Sequence, residues 1–326
     1  MNTKKTVRAA LVQKPPVFLN LEESVAKLSD LALECANEGA EIIVFPETWL
    51  PGYPVWLDDA PEAALWEHPP AKRLFGYLFE NSVEVPGPDF GKLVEAAKES
   101  GAYLVVGMHE REGGTLYNTT ATIAPDGSWK IHRKLTPTYT ERLVWGVGDG
   151  STLETMDTPY GVLGGLICWE HWMPLARAAM HSKQEIVHTA QYPTVHERHQ
   201  IASRQYAFEG QCFVLASGSV LSRDEALEGF DSLGTDDKEV RGLLESMRNE
   251  RLLRGGSAVI APDISYVTEP LFDNQSTVFA DLDLSMAAQG RLLLDTDGHY
   301  SRPDVFELRV NTRKNRNVNF TDGGLV

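Results

Sequence analysis

The sequence predicts an α/β protein built as a four-layer αββα sandwich: two packed sheets, each covered on its outer face by helices. Two observations predict it. Short apolar runs alternate with longer amphipathic segments, which is the pattern of βα units and not of a helical bundle or an all-β sandwich. The strand-like runs also outnumber the strands of one small sheet, so a second sheet is needed to hold them.

Val7 to Val12 reads as the first strand. Asn20 followed by Glu23 has the form of a capping box, and Leu21, Val25, Leu28, Ala32 and Cys35 recur at helical spacing until Gly39 ends the helix. EIIVF at 41–45 is the next strand, followed by YLVVGM at 103–108, LYNTTATIA at 116–124, SWKIH at 128–132 and VLGGLIC at 162–168. IVHTA at 186–190, CFVLASG at 212–218, SAVIA at 257–261 and STVFADLD at 276–283 continue the series. Covering helices are expected near 88–100, 173–183 and 196–210. The stretches 52–85 and 222–255, rich in charge or aromatics, fall outside the layers and read as surface insertions. EVRGLLESMRNERLL, in the second of them, has one apolar side as a helix, which suits either an inter-subunit contact or a solvated insert. Residues 1–310 read as one domain and 311–326 as a loosely held polar tail, with no internal repeat.

The 326 residues are 42% apolar and 23% charged, enough to bury a substantial core. A formal net charge of −16 opposes binding to nucleic acid or an anionic membrane, since phosphates repel such a surface. A small neutral substrate is compatible with it. Cys35, Cys168 and Cys212 are too few and scattered for a disulfide framework or a four-cysteine zinc site. Near the start, Gln13, Lys14 and two prolines interrupt the apolar stretch too early for a signal peptide, and no later apolar run reaches the roughly 18 residues of a membrane helix. A cytoplasmic location is expected.

Chemistry concentrates at strand ends. Cys168 closes VLGGLI and precedes WEHW, which puts a thiol at the carboxyl edge of a sheet, where α/β proteins hold ligands. It is either a nucleophile or a small core residue. Glu47 follows IIVF, with Pro46 stiffening the chain, and is either a general base or a carboxylate bridging nearby backbone. Lys134, in HRKLTP, is either a fixed charge at a site or a surface lysine. His188, His196 and His199 invite a metal reading, but HERH is not the two-histidine zinc protease motif and no acid or thiol set completes a site. Neither a metal nor a cofactor is expected, because no dinucleotide fingerprint or phosphate loop is present.

Taken together, three segments resemble the nitrilase superfamily of carbon-nitrogen hydrolases. FPETWLPGYP at 45–54 is similar to the family's first glutamate motif, RKLTPTYTERLVWGVGDG at 133–150 to its lysine motif, and GGLICWEHWMPLAR at 164–177 to its nucleophile motif. They occur in the family's order, and the second and third are worded as in true nitrilases. HYSRPDVF at 299–306 resembles a C-terminal family segment. The resemblance implies the αββα sandwich, a Glu-Lys-Cys triad of Glu47, Lys134 and Cys168, and a second glutamate at Glu141. It implies hydrolysis of a small organic nitrile by water to a carboxylic acid and ammonia. It also implies a homo-oligomer of dimers stacking into larger assemblies.

The chemistry explains these residue types. A nitrile carbon is a modest electrophile, so a soft sulfur nucleophile suits it. Attack by Cys168 gives a thioimidate. Glu47 accepts the thiol proton and later activates water, a role worth about two to four orders of magnitude in rate. Lys134 and the Trp169 backbone N–H can stabilise charge on the nitrogen, at about 3 kcal/mol per donor. Glu47, Lys134 and Cys168 are expected to titrate as a coupled set, with the lysine favouring the thiolate. Glu141 either orients water or forms a structural bridge to Arg133 or Arg142. Expulsion of ammonia leaves a thioester and then acid; expulsion of the thiol leaves an amide.

Trp49, Tyr53, Trp56, Tyr139, Trp145, Trp169 and Trp172 lie in or beside the motifs, either as walls of an aromatic pocket or as core. Tyr53, Trp56, Tyr139, Trp169 and Glu170 are the candidate substrate contacts, with an aryl or arylaliphatic nitrile favoured over an aliphatic one. Competing readings are a cyanide-converting or amide-forming relative with the same triad, a papain-like pairing of Cys168 with His171 or His188, and an inactive binding module.

Overall fold

The computed structural model describes residues 5–315 and 318. Thirteen strands form two sheets, in the order β13-β1-β2-β3-β4-β5 and β10-β11-β9-β8-β7-β6, with β12 paired to β11. The first comprises β1 (Thr6–Gln13), β2 (Ile42–Val44), β3 (Tyr103–Glu112), β4 (Thr115–Ile123), β5 (Trp129–Arg133) and β13 (Ser276–Asp283). The second comprises β6 (Met156–Thr158), β7 (Gly161–Ile167), β8 (Glu185–Tyr192), β9 (Phe213–Gly218), β10 (Val220–Ser222), β11 (Arg251–Ile260) and β12 (Tyr266–Phe272). The first sheet is covered by α1 (Leu21–Asn37) and α4 (Pro88–Ser100), the second by α5 (Pro174–His181) and α6 (Glu197–Gly210).

The period-2 alternation of β1 shows how one apolar run serves two layers. Ala10 and Val12 face α1 and its neighbours, whereas Val7, Ala9 and Leu11 face Leu163, Phe213 and Leu215 of the other sheet. Both faces are buried, hence the continuous run. The expected layers are thus the observed ones, and the structure is an αββα sandwich. At α1, the Asn20 side chain accepts from the Glu23 N–H at 3.1 Å, and Gly39 turns the chain out at φ 86°.

Three strands went unpredicted, and each is an edge or near-edge strand: β6 and β10 are three residues long, and β12 contains Pro270. The second insertion also differs from expectation. The helix Lys238–Glu245 takes in only the first seven residues of EVRGLLESMRNERLL, and Arg251 onward is already β11. Its apolar side meets the first insertion of the same chain. Leu74 and Leu78 of α3 (Pro69–Glu80) share one cluster with Trp56 of α2 (Trp56–Asp59), Phe230 of α7 (Arg223–Asp231), and Val240 and Leu244 of α8 (Lys238–Glu245). Arg73 bridges α3 to Asp237 and Glu239, at 2.7 and 2.6 Å. Of the expected tail, 311–315 and 318 are described and exposed; its remaining residues lie outside the described ones. Among the described residues, no helix is long and apolar enough to cross a membrane.

Candidate active site

The three motifs converge where the two sheets meet. Beyond β2, the chain from Pro46 to Leu50 runs along β3: Phe45 N–H donates to Val105 O at 2.8 Å and Leu50 N–H to Gly107 O at 3.1 Å. The strand can come this close only as glycine, because a Cβ on Gly107 would sit 2.0 Å from Pro46 O and 2.8 Å from Glu47 Cα. Lys134 extends the β4–β5 ladder by one step, its N–H donating to Asn118 O at 2.8 Å. Gln191 of β8 ties the layers beneath, donating to Phe45 O and accepting from the Thr120 hydroxyl.

Lys134 is 1% exposed, and its ammonium donates to Glu47 Oε1 at 2.8 Å and Glu141 Oε2 at 2.7 Å. Asn118 Nδ2 donates to the same Glu47 oxygen at 2.7 Å, while Glu47 Oε2 is buried with no hydrogen-bond partner. Glu141, in the 3-10 turn Tyr139–Leu143, also accepts from the Thr138 N–H at 2.6 Å and the Tyr53 hydroxyl at 2.9 Å. The alternative partners of Glu141 are engaged elsewhere. Arg133 pairs with Glu110 and Glu112, and Arg142 donates to Pro137 O.

Electrostatics follow from burial. Desolvation pushes the Glu47 carboxyl up to about 7; Lys134 opposes the rise and Glu141 adds to it. Burial by itself lowers the affinity of Lys134 for its proton, but the charges of Glu47, Cys168 and Glu141 outweigh that and hold it well above its ordinary value. Burial raises the Cys168 thiol well above its usual range, Glu47 raises it further, and the opposing pull of Lys134 does not compensate. Burial and Glu47 thus favour the neutral thiol at Cys168, against the pull of Lys134 toward thiolate.

Cys168 follows β7 with φ 55°, a left-handed conformation unusual for a side chain with a Cβ. Thr48, next to Glu47, and Tyr139, two residues before Glu141, share it, at φ 43° and 49°. Such strain clusters where a site over-determines the backbone. Neither nitrogen of His171 is available to the thiol: Nδ1 meets the Cys168 carbonyl at 2.8 Å and Nε2 meets His188 Nε2 at 3.0 Å. A papain-like pairing with His171 therefore has no geometric support.

A cavity of about 250 Å³ opens over Cys168 and Glu141. Tyr53, Tyr139 and Trp169 line it; Trp56 and Glu170 do not. Trp56 is buried against Phe18, with ring centroids 6.0 Å apart. Glu170 is a buried clamp, accepting from the N–H groups of Leu135 and Ile167, both at 2.7 Å, and facing His132 Nε2 at 2.9 Å. It fastens the lysine segment to the cysteine strand. Trp49 and Trp145 are core, Trp145 donating to His109 Nδ1 at 2.9 Å.

Sequence reasoning missed Asn118 and the wall formed by Pro193, Thr194, His196, His199 and Leu252. The two histidines stood out as a HERH pair; their nearness to Cys168 comes from the packing of α6. Among the described residues no group of three potential metal ligands is found.

The carbon-nitrogen hydrolase family model matches residues 8–292. An aliphatic nitrilase of Sinorhizobium fredii is 39% identical over 93% of this chain and 95% of its own length. A bifunctional nitrilase/nitrile hydratase of Lupinus angustifolius is 35% identical over 97% and 89%. Among solved structures, Nit3 of Saccharomyces cerevisiae, a nitrilase-superfamily member, matches the fold with a TM-score of 0.62 at 18% identity, over 92% of this chain and 98% of that one. With sequence similarity of this extent and a matching sandwich, the chain belongs to the nitrilase branch of the carbon-nitrogen hydrolase family.

Proposed function

We propose that this enzyme hydrolyses a small organic nitrile to its carboxylic acid and ammonia, with Cys168 as nucleophile. The observation that carries the reading is the buried Lys134 ammonium, held between Glu47 and Glu141, the second of which lines the same cavity as Cys168. Glu47 Oε2, buried and unpartnered, is the atom free to take the thiol proton as sulfur adds to the nitrile carbon. The Lys134 ammonium stabilises charge developing on nitrogen and gives it a proton, which Lys134 regains from the newly protonated Glu47 at 2.8 Å, so that both groups are reset. Glu47 then activates water for addition. Loss of ammonia leaves a thioester, which a second water hydrolyses. Glu141 holds the Lys134 ammonium and the Tyr53 hydroxyl together, and so acts on the orientation of both.

Tyr53, Tyr139 and Trp169 support an aryl or arylaliphatic substrate. An aliphatic preference is the second reading, favoured by the name of the Sinorhizobium relative. Amide release is a side path, favoured by the bifunctional Lupinus relative. Residues 1–310 are taken as the catalytic domain, the location as cytoplasmic, and neither nucleic acid nor membrane as a partner. Exposed Trp66, Leu293 and Phe306 support assembly into homo-oligomers, to which light scattering gives a direct answer.

The test is ammonia release and product identity on aryl, arylaliphatic and short aliphatic nitriles, for wild type, Cys168→Ala and Lys134→Met. Acid and ammonia from wild type, none from Cys168→Ala and a loss of at least about 100-fold in Lys134→Met are expected. Activity surviving in Lys134→Met, or turnover of amides alone, overturns the assignment.

A further inference from the structure

A second buried polar chain reaches Cys168 from the opposite side, and the reaction above makes no use of it. His171 Nδ1 lies 2.8 Å from Cys168 O, His171 Nε2 3.0 Å from His188 Nε2, and His188 Nδ1 2.9 Å from Glu185 Oε1. The Tyr206 hydroxyl donates to Glu185 Oε2 at 2.5 Å. Glu185, His171, His188 and Tyr206 are all at most 2% exposed. Gly164 of β7 makes the space, since a Cβ there would lie 1.7 Å from Glu185 Oε1.

Donor counting fixes the protons. A carbonyl oxygen only accepts, so His171 carries hydrogen on Nδ1. Burial holds both imidazoles below their ordinary proton affinity, so the His171 ring is neutral and its Nε2 accepts. His188 must then donate from Nε2. That leaves His188 Nδ1 as an acceptor from a protonated Glu185, whose carboxyl burial pushes upward. If the proton moves to His188 Nδ1 instead, the count is unchanged: one proton belongs to the Glu185–His188 pair.

We propose that Glu185, His188 and His171 form a relay whose shared proton holds the Cys168 carbonyl, making Glu185 a positioning residue for the nucleophile. The inference rests on Cys168 being that nucleophile. Carbonyl and N–H belong to one planar trans peptide and point in opposite directions. Holding Cys168 O therefore aims the Trp169 N–H as well as the left-handed Cys168 backbone. Removal of the proton reverses the chain: ionised Glu185 takes hydrogen from His188 Nδ1, His188 Nε2 takes it from His171 Nε2, and a bare His171 Nδ1 faces the carbonyl. The contact becomes repulsive.

The charged and titratable neighbours are few. His181 and Lys183 face Glu185 from the end of α5, and Tyr206 faces it from α6. His181, Glu170 and His132 face His188, Glu170 and His199 act on His171, and Glu209 and Cys212 act on Tyr206.

The experiment compares wild type, Glu185→Gln and Glu185→Leu by kcat and KM against pH on a turned-over nitrile. In parallel, peptide mass mapping follows alkylation of Cys168 by iodoacetamide. A glutamine amide donates to His188 Nδ1 and accepts from Tyr206, so E185Q keeps kcat within about threefold and loses one ionisation from the alkaline limb. E185L is expected to lose about 10- to 100-fold in kcat at nearly unchanged KM, and to alter the Cys168 alkylation rate. Equal impairment of both variants, wild-type kcat in E185L, or an unchanged alkaline limb in E185Q overturns the relay. Should E185L fail to fold by thermal unfolding, the E185Q limb decides. A wild type that turns over no nitrile defeats the functional reading alone; the alkylation rates then test the relay, with equal rates in all three proteins counting against it.

Discussion

In the proposed reaction Glu47 acts as a base in a place that disfavours its charge, and three neighbours bear on how well it can do so. Burial raises its proton affinity, Glu141 adds to the rise, and Lys134 and Asn118 oppose it. Glu47 must be ionised to accept the thiol proton, so kcat/KM is expected to fall as pH drops through about 7, above the usual carboxylate range. Asn118→Ala removes a donor to the ionised form. Its carboxyl then holds the proton to higher pH, and the acid limb of the kcat/KM profile moves upward; a limb that stays put or moves down refutes the role of Asn118. Nothing in LYNTTATIA marks Asn118 apart from its threonine neighbours. Its importance arises because β4 lies between β3, along which the Glu47 loop runs, and β5, which leads into Lys134.

At the scale of elements, the placement of Glu47 beside Lys134 depends on how closely strands pass one another. Gly107→Ala places a methyl against Pro46 O and Glu47 Cα, at 2.0 and 2.8 Å, so either β3 or the Glu47 loop must retreat. About 1–3 kcal/mol of stability is expected to be lost, together with a larger proportional fall in kcat than in KM. Urea unfolding and steady-state kinetics on the same preparation measure both, and an unimpaired kcat would show that the loop adjusts freely. Gly148, whose Cβ would lie 2.2 Å from Arg133 O, plays the matching part behind Lys134. The central strands were legible because burial on both faces gives an unbroken apolar run, as in VLGGLI and CFVLAS. Strands β6, β10 and β12 were not, since short or proline-containing edges lack that signature. The position of Glu47, Lys134 and Cys168 just beyond strand ends was legible through their motifs. Glu170 was misread because its sequence position beside Cys168 says nothing of the two backbone N–H groups that claim its carboxylate.

Across the whole molecule, the two insertions are better understood as one structure. The two stretches close into a shared apolar cluster, pinned by Arg73 on Asp237, 164 residues away, and on Glu239, and Leu252 at the end of the second reaches the cavity wall. A helix with one apolar side thus found its partner within its own chain, which sequence periodicity cannot distinguish from a partner in another. The sharing of Lys134 between two carboxylates has a consequence for traffic through the cavity. Formally, two negative charges face one positive, inside a chain whose net charge is −16. A nitrile arrives neutral and meets no electrostatic barrier. In the proposed reaction the acid formed from it leaves the sulfur as an anion, into a field that repels it. Turnover itself would then clear the cavity, and the product acid is expected to inhibit far more weakly than its uncharged amide, a ratio that competition assays at neutral pH measure directly.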